Sequence, residues 1–134
     1  MIPVYDFISF NVKSFVFHRD NNGSPESFSV KISNHDFDPI KQTYTLNIDF
    51  DISFAKNPTS KLNIIAYFKI NDLDWMSSIH ENQLDSTLFA SVFPFIRNYV
   101  IQLTNDSRGV ITIPIIDLRF SDLNKGITFN STRH

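Results

Sequence analysis

Four histidines, His18, His35, His80 and His134, are the first residues to weigh for chemistry. Imidazole can ligate a metal, act as a general base or carry a proton near neutral pH. A metal site built on one element needs short spacings such as His-x3-His, and no pair here has one. Each histidine therefore reads as a loop or surface residue. Asp49 and Asp51 stand two residues apart, and paired carboxylates can divide acid and base roles. They lie beside Thr45 and Asn47 in an alternating segment, so the expectation is an exposed acidic face that serves solubility or a partner contact. The run Asp20-Asn21-Asn22-Gly23-Ser24-Pro25 has the polar character of a calcium loop. Its glycine comes too early, and no acidic residue closes the loop at the required distance. A phosphate loop, a dinucleotide fingerprint and a nucleophile elbow are all missing. The chain is expected to be non-enzymatic, with no metal or other cofactor.

Composition narrows the classes further. The 134 residues suit one domain around one core. With 42% hydrophobic and 19% charged residues, the chain is expected to fold. A net charge of -2 gives no basic face for nucleic acid. The absence of cysteine removes disulfides and thiol catalysis and fits a reducing compartment. The N-terminus carries no basic region followed by an apolar run, and no apolar stretch approaches the roughly 18 residues of a membrane span. The expected location is cytoplasmic, without membrane insertion. The unusual number is 14 phenylalanines. A domain this small has limited interior, so some of them are expected at an interface or in a groove.

The elements that would carry these residues are mostly strands. Residues 4–17 read as a long strand in which Ile8, Phe10 and Val12 alternate with polar residues. The apolar phase then moves to Phe15 and Phe17, which calls for a bulge near Lys13 and Ser14. Tyr5 and Phe7 place apolar groups on the opposite face, so this strand is expected to be covered on both sides. Phe28, Val30 and Ile32 define a second strand, followed by a connection over residues 35–41. Tyr44, Leu46, Ile48, Phe50, Ile52 and Phe54 alternate without error against polar partners, giving one buried and one wet face. A turn near Pro58 leads to a fourth strand with Leu62, Ile64, Ala66, Phe68 and Ile70 inward and Ile65 and Tyr67 outward. Residues 72–81 read as a connection.

One helix is expected, over residues 88–104. Phe89, Val92, Phe93, Ile96, Val100 and Leu103 form its stripe, widened by Leu88, Phe95 and Tyr99 to an arc of about 160°, broader than one core contact requires. Pro94 implies either a helix that begins just before it or a kink. Gly109 suits a turn after the helix. Residues 110–118, around Pro114, read as an extended segment suited to a sheet edge. The polar tail is open to a short helix, a strand or disorder.

The helical segment resembles the SecB export-chaperone family. That family carries a Phe-Pro-Tyr/Phe-x-Arg-x-x-Ile/Val-x-x-Leu pattern. Phe93, Pro94, Phe95, Arg97, Val100 and Leu103 stand here in the same register. Downstream, Gly109 and the Ile113-Pro114-Ile115-Ile116-Asp117-Leu118 run are similar to the family's glycine turn and proline-containing apolar segment. The likeness spans residues 4–118, with residues 119–134 as a C-terminal tail. Three departures stand out. The segment between Ile79 and Phe93 is shorter, the Cys-Pro-Asn-like residues before the motif are absent, and the C-terminus lacks the family's second helix and motor-contacting tail. The resemblance therefore implies the chaperone fold more firmly than a place in general secretion. It fits relatives tied to toxin–antitoxin systems or prophages at least as well.

What the resemblance implies is an α+β protomer, a four-stranded antiparallel sheet with one face covered by a long helix, assembled as a dimer of dimers. Its implied work is ATP-independent holding of unfolded polypeptide, with a SecA-like motor or an antitoxin as further partner. A holdase needs adaptable apolar surface, which aromatics and methionine supply. Candidate contact residues are Leu73, Trp75, Met76 and Ile79 in the connection, Phe95 and Tyr99 on the helix, and Tyr67 on the sheet. Two other functions stand beside this one: a module dedicated to one protein partner, and a small-ligand domain with a closed apolar pocket.

Overall fold

The structure, a computed structural model, describes residues 2–18, 27–53 and 58–104, together with the backbone of the strand at residues 127–130. Four long strands, β1 (Tyr5–Val16), β2 (Ser27–Asp38), β3 (Thr43–Ser53) and β4 (Ser60–Ile70), precede two helices, α1 (Leu73–Ser78) and α2 (Glu81–Leu103). A short β5 (Ile127–Asn130) closes the order. The sheet runs β1-β4-β3-β2-β5, antiparallel throughout. The expected four-stranded sheet with one long helix is present, and β5 adds a fifth strand beside β2. The expectations for Asp20–Pro25 (residues 20–25), Phe54, Gly109 and the Pro114 segment fall outside the described residues.

The centre of the sheet follows its alternation. Every second residue of β3 from Tyr44 to Ile52 is buried, as is every second residue of β4 from Leu62 to Ile70. The intervening residues form the other face. Phe50 is the hub of the core. Its ring lies 5.8 Å from Phe28, 6.2 Å from Phe89 and 6.4 Å from Phe93, which ties β2 and β3 to α2. Burying one such side chain contributes about 1.5–3 kcal/mol.

Several boundaries differ from the sequence reading. α2 begins at Glu81, seven residues before the expected 88, because Leu84, Asp85 and Leu88 are buried and anchor two further turns. His80 caps it, its Nδ1 accepting from the Asn82 amide. The helix continues through Pro94. Pro94 and Ala90 are both exposed, so the carbonyl that the proline cannot bond lies on the wet side. Residues 73–78, expected as connection, form α1, because the Asp72 carboxylate accepts from the Trp75 amide and caps it. Leu103, assigned to the helix stripe, is 51% exposed. β2 runs on to Asp38 through the segment expected as connection, with a register shift between Ile32 and Asn34 that turns His35 and Phe37 onto the inner face.

β1 carries the main correction. Its aromatic residues share one face rather than dividing between two. Register shifts occur between Val12 and Ser14, as the sequence implied, and also between Phe7 and Ser9. The two bulges absorb Ile8 and Lys13. Tyr5, Phe7, Phe10, Val12 and Phe15 then pair in turn with Ile70, Phe68, Ala66, Ile64 and Leu62, the five inward residues of β4. Ile8, placed by its alternation with Phe10, instead points outward and is 53% exposed.

Candidate polypeptide-binding seam

The first feature with functional geometry lies where α2 meets β1. Residues four apart on a helix stack along one face, and Ser91, Phe95 and Tyr99 have that spacing. They meet Tyr5, Phe7 and Phe10 in the same order. The Tyr5 hydroxyl hydrogen-bonds to Ser91 Oγ. Phe7 stacks on Phe95 at 5.3 Å, and Phe10 meets Tyr99 edge-on at 5.8 Å. Beneath them, Phe68 lies 5.6 Å from Phe7 and 6.2 Å from Tyr5. α1 extends the row, because Trp75 stacks on Tyr5 at 5.5 Å with the planes 24° apart. The result is an aromatic seam running from Trp75 through Tyr5, Phe7 and Phe95 to Phe10 and Tyr99.

The seam is only partly closed. Tyr5, Phe7, Phe10, Trp75, Met76 and Ile79 are half-buried against the core, and Phe95 is 55% exposed. No described strand pairs with the outer edge of β1. An extended segment laid there would find large aromatic faces and a strand edge together, the two elements of β-type peptide capture.

The candidate residues named from the sequence divide accordingly. Trp75, Met76, Ile79, Phe95 and Tyr99 lie on the helix side of the sheet, with Leu73 exposed at the start of α1. Tyr67 does not join them. It is an outward residue of β4, between Ser9 and Thr45 on the opposite face. Asp49 and Asp51 share that opposite face. Asp49 accepts from Asn63, and Asp51 lies 3.7 Å from Lys61 as an exposed pair, worth about 0–1 kcal/mol. Tyr5, Phe7 and Phe10 were missed as a group. Their signal was a second break in alternation at Ile8, visible as two apolar phases within one strand.

A second cluster was also missed. His35, read as a loop residue, stands on β2 with its Nδ1 2.6 Å from Asp85 Oδ2, while its Nε2 contacts Glu81 Oε1. Tyr44 donates to Asp85 Oδ1 at 2.7 Å. Asp85 is fully buried, with 0% of its surface exposed. Burial, then the hydrogen bond and charge of Asp85, push the Tyr44 hydroxyl far above its ordinary value, so it remains a donor throughout the working pH range. Burial works against a charge on His35, but Asp85 and then Glu81 outweigh it, and its pKa is raised above 6.5. Nothing in the sequence announces this cluster, because an aspartate in the first turns of a helix ordinarily faces water. Among the described residues, no group of three or more His, Cys, Asp or Glu side chains is arranged to hold a metal ion.

This sheet, with one long helix across it, is the SecB-like chaperone fold. It is similar to the Mycobacterium tuberculosis SecB-like chaperone Rv1957, solved in complex with a ChAD peptide from the Rv1956 HigA1 antitoxin. The likeness has a TM-score of 0.55 at 14% identity, and it covers 84% of this chain and 90% of that one. No protein-family model matches the sequence, and no curated protein matches it. Among the described residues, no helix is long and apolar enough to cross a membrane.

Proposed function

We propose that this protein is an ATP-independent chaperone that holds non-native polypeptide in the seam between β1 and α2, with no catalytic step and no cofactor. The observation that carries the reading is the exposed ring of Phe95 stacked on Phe7 beside the outer edge of β1. Apolar area held open to water at a strand edge costs free energy in the isolated chain, and an extended client would recover it. The working form is a cytoplasmic homo-oligomer, a dimer of dimers. The outer edge of β1 and the exposed Ile8 and Val16 on that strand support this assembly. A monomeric mass by light scattering at micromolar concentration would count against this assembly.

The only tryptophan, Trp75, supplies the test. Titration with a reduced, carboxymethylated polypeptide should shift its emission. Trp75→Ala should weaken binding of that polypeptide by about 1–3 kcal/mol, the usual range for a central aromatic contact. An emission maximum unmoved by saturating polypeptide would overturn the assignment. A second reading, a module dedicated to one protein, draws on the antitoxin peptide bound by the structural neighbour. General suppression of aggregation by the purified protein supports the first reading. One tight partner without such suppression supports the second. A SecA-like motor, as a further partner, would be tested by direct binding to the purified tetramer.

A further inference from the structure

The His35 cluster lies over β2 and β3, away from the β1 seam in the strand order, and has a property that the seam does not use. Both ring nitrogens of His35 face carboxylate oxygens, Nδ1 toward Asp85 and Nε2 toward Glu81. A neutral imidazole has one N–H and one lone pair. In this arrangement a neutral ring would turn its lone pair onto a carboxylate, whereas an imidazolium donates to both. The groups around the ring are few. β2 contributes His35 itself, β3 contributes Tyr44, and α2 contributes Glu81 and Asp85. His80, at the cap, is engaged with the Asn82 amide, and Asp36 is exposed on β2. Among the described residues no lysine or arginine pairs with Asp85, so His35 is the only cation available to a fully buried carboxylate.

We propose that His35 is a proton-controlled latch: as the imidazolium it clamps the first two turns of α2 to β2, and loss of its proton releases them. Once the proton is lost, Asp85 keeps the Tyr44 hydroxyl and at most a neutral N–H from His35, and a buried carboxylate without its cation is relieved by opening toward water. The segment set free carries Leu84 and Leu88. It follows directly on α1, so the Trp75 end of the seam loosens with it. The latch itself does not depend on the chaperone reading and is tested without any client.

The direction follows from the raised pKa of His35. Its contribution to stability is fully present below the ordinary imidazole value and is lost as pH rises through the folded one. The experiment follows the His35 ring resonances and the protection factors of the Leu84, Asp85 and Leu88 amides in the full-length protein, from about pH 5 to 9. His35 should titrate above 6.5. The three amides should lose about tenfold in protection for each unit by which it does so, while Leu46 and Ile64 in the sheet keep theirs. In His35→Gln the protection of the three amides should no longer depend on pH. Glu81→Gln alters an exposed position and tests the point without threatening the fold. It should lower the His35 titration and move the loss of protection to lower pH by the same amount. Flat protection in the native protein would overturn the latch, as would an unchanged pH dependence in His35→Gln or a Glu81→Gln titration that leaves the opening where it was.

Discussion

The inner strands β3 and β4 and the seam at β1 are built from the same residue types and end in opposite states. Along β3 and β4 the side chains alternate strictly, and every inward residue is closed over by α2 or the neighbouring strand. Along β1 the aromatic residues need two bulges to reach the inward face, and they stay half-buried there. The difference lies in what each strand has beside it. β3 and β4 have a strand on either side and the helix above. β1 has β4 on one side, with only the Ser91, Phe95 and Tyr99 edge of α2 and the Trp75 ring of α1 above. Apolar residues become core when they are surrounded and become contact surface when they are flanked.

The largest effect should come from a charge placed in the closed region. Phe50→Asp should abolish the folded state or cost several kcal/mol, because an unpaired carboxylate would sit among Phe28, Phe89 and Phe93. Thermal unfolding by circular dichroism checks it, and a variant that melts with the native protein would show the core misassigned. Tyr44→Phe is next, with an expected loss of about 1–3 kcal/mol, since it leaves one oxygen of a buried carboxylate unsatisfied. Denaturant midpoints measure this, and no loss would mean that water replaces the hydroxyl.

On the seam the order of effects should reverse. Phe95→Ser should change stability by less than the core substitutions, because the ring is already 55% exposed. Polypeptide affinity should fall by about 1–2 kcal/mol. Fluorescence anisotropy of a labelled unfolded polypeptide, run beside a melt, separates the two outcomes. Stability lost with affinity retained would make the seam another part of the core. The smallest effect belongs to the outer sheet face. Asp51→Asn should stay within about 0.5 kcal/mol in the same melts, because its pair with Lys61 is exposed.

The strands β3 and β4 were legible because their period is two and nothing interrupts it. The second half of α2 was legible from the apolar stripe that continues through Phe89, Val92, Phe93, Ile96 and Val100. The start of α2 was hidden, because Leu84 and Asp85 look unremarkable until the helix is seen to lie over Tyr44. The bulge at Ile8 was hidden for a related reason. Alternation from Ile8 to Val12 is locally satisfactory, and only pairing with β4 reveals that Phe10 and Phe7 belong together. Of the candidate contacts, Trp75, Met76, Ile79, Phe95 and Tyr99 came from apolar character near the helix. Tyr67 stands apart because adjacent positions on a strand face opposite sides of the sheet, and it lies between the inward Ala66 and Phe68.

By itself, then, the amino-acid order determined which segments must bury an apolar face, since hydrophobic period is a local property of the chain. It also determined that the helix carries more apolar surface than one contact needs. Tertiary structure alone decided where that excess goes. The two bulges in β1 turn its aromatics toward Phe95 and Tyr99, and the shift in β2 turns His35 toward Asp85. Register is a property of paired strands, and a buried charge finds its partner only across elements far apart in sequence, so neither can be read one residue at a time.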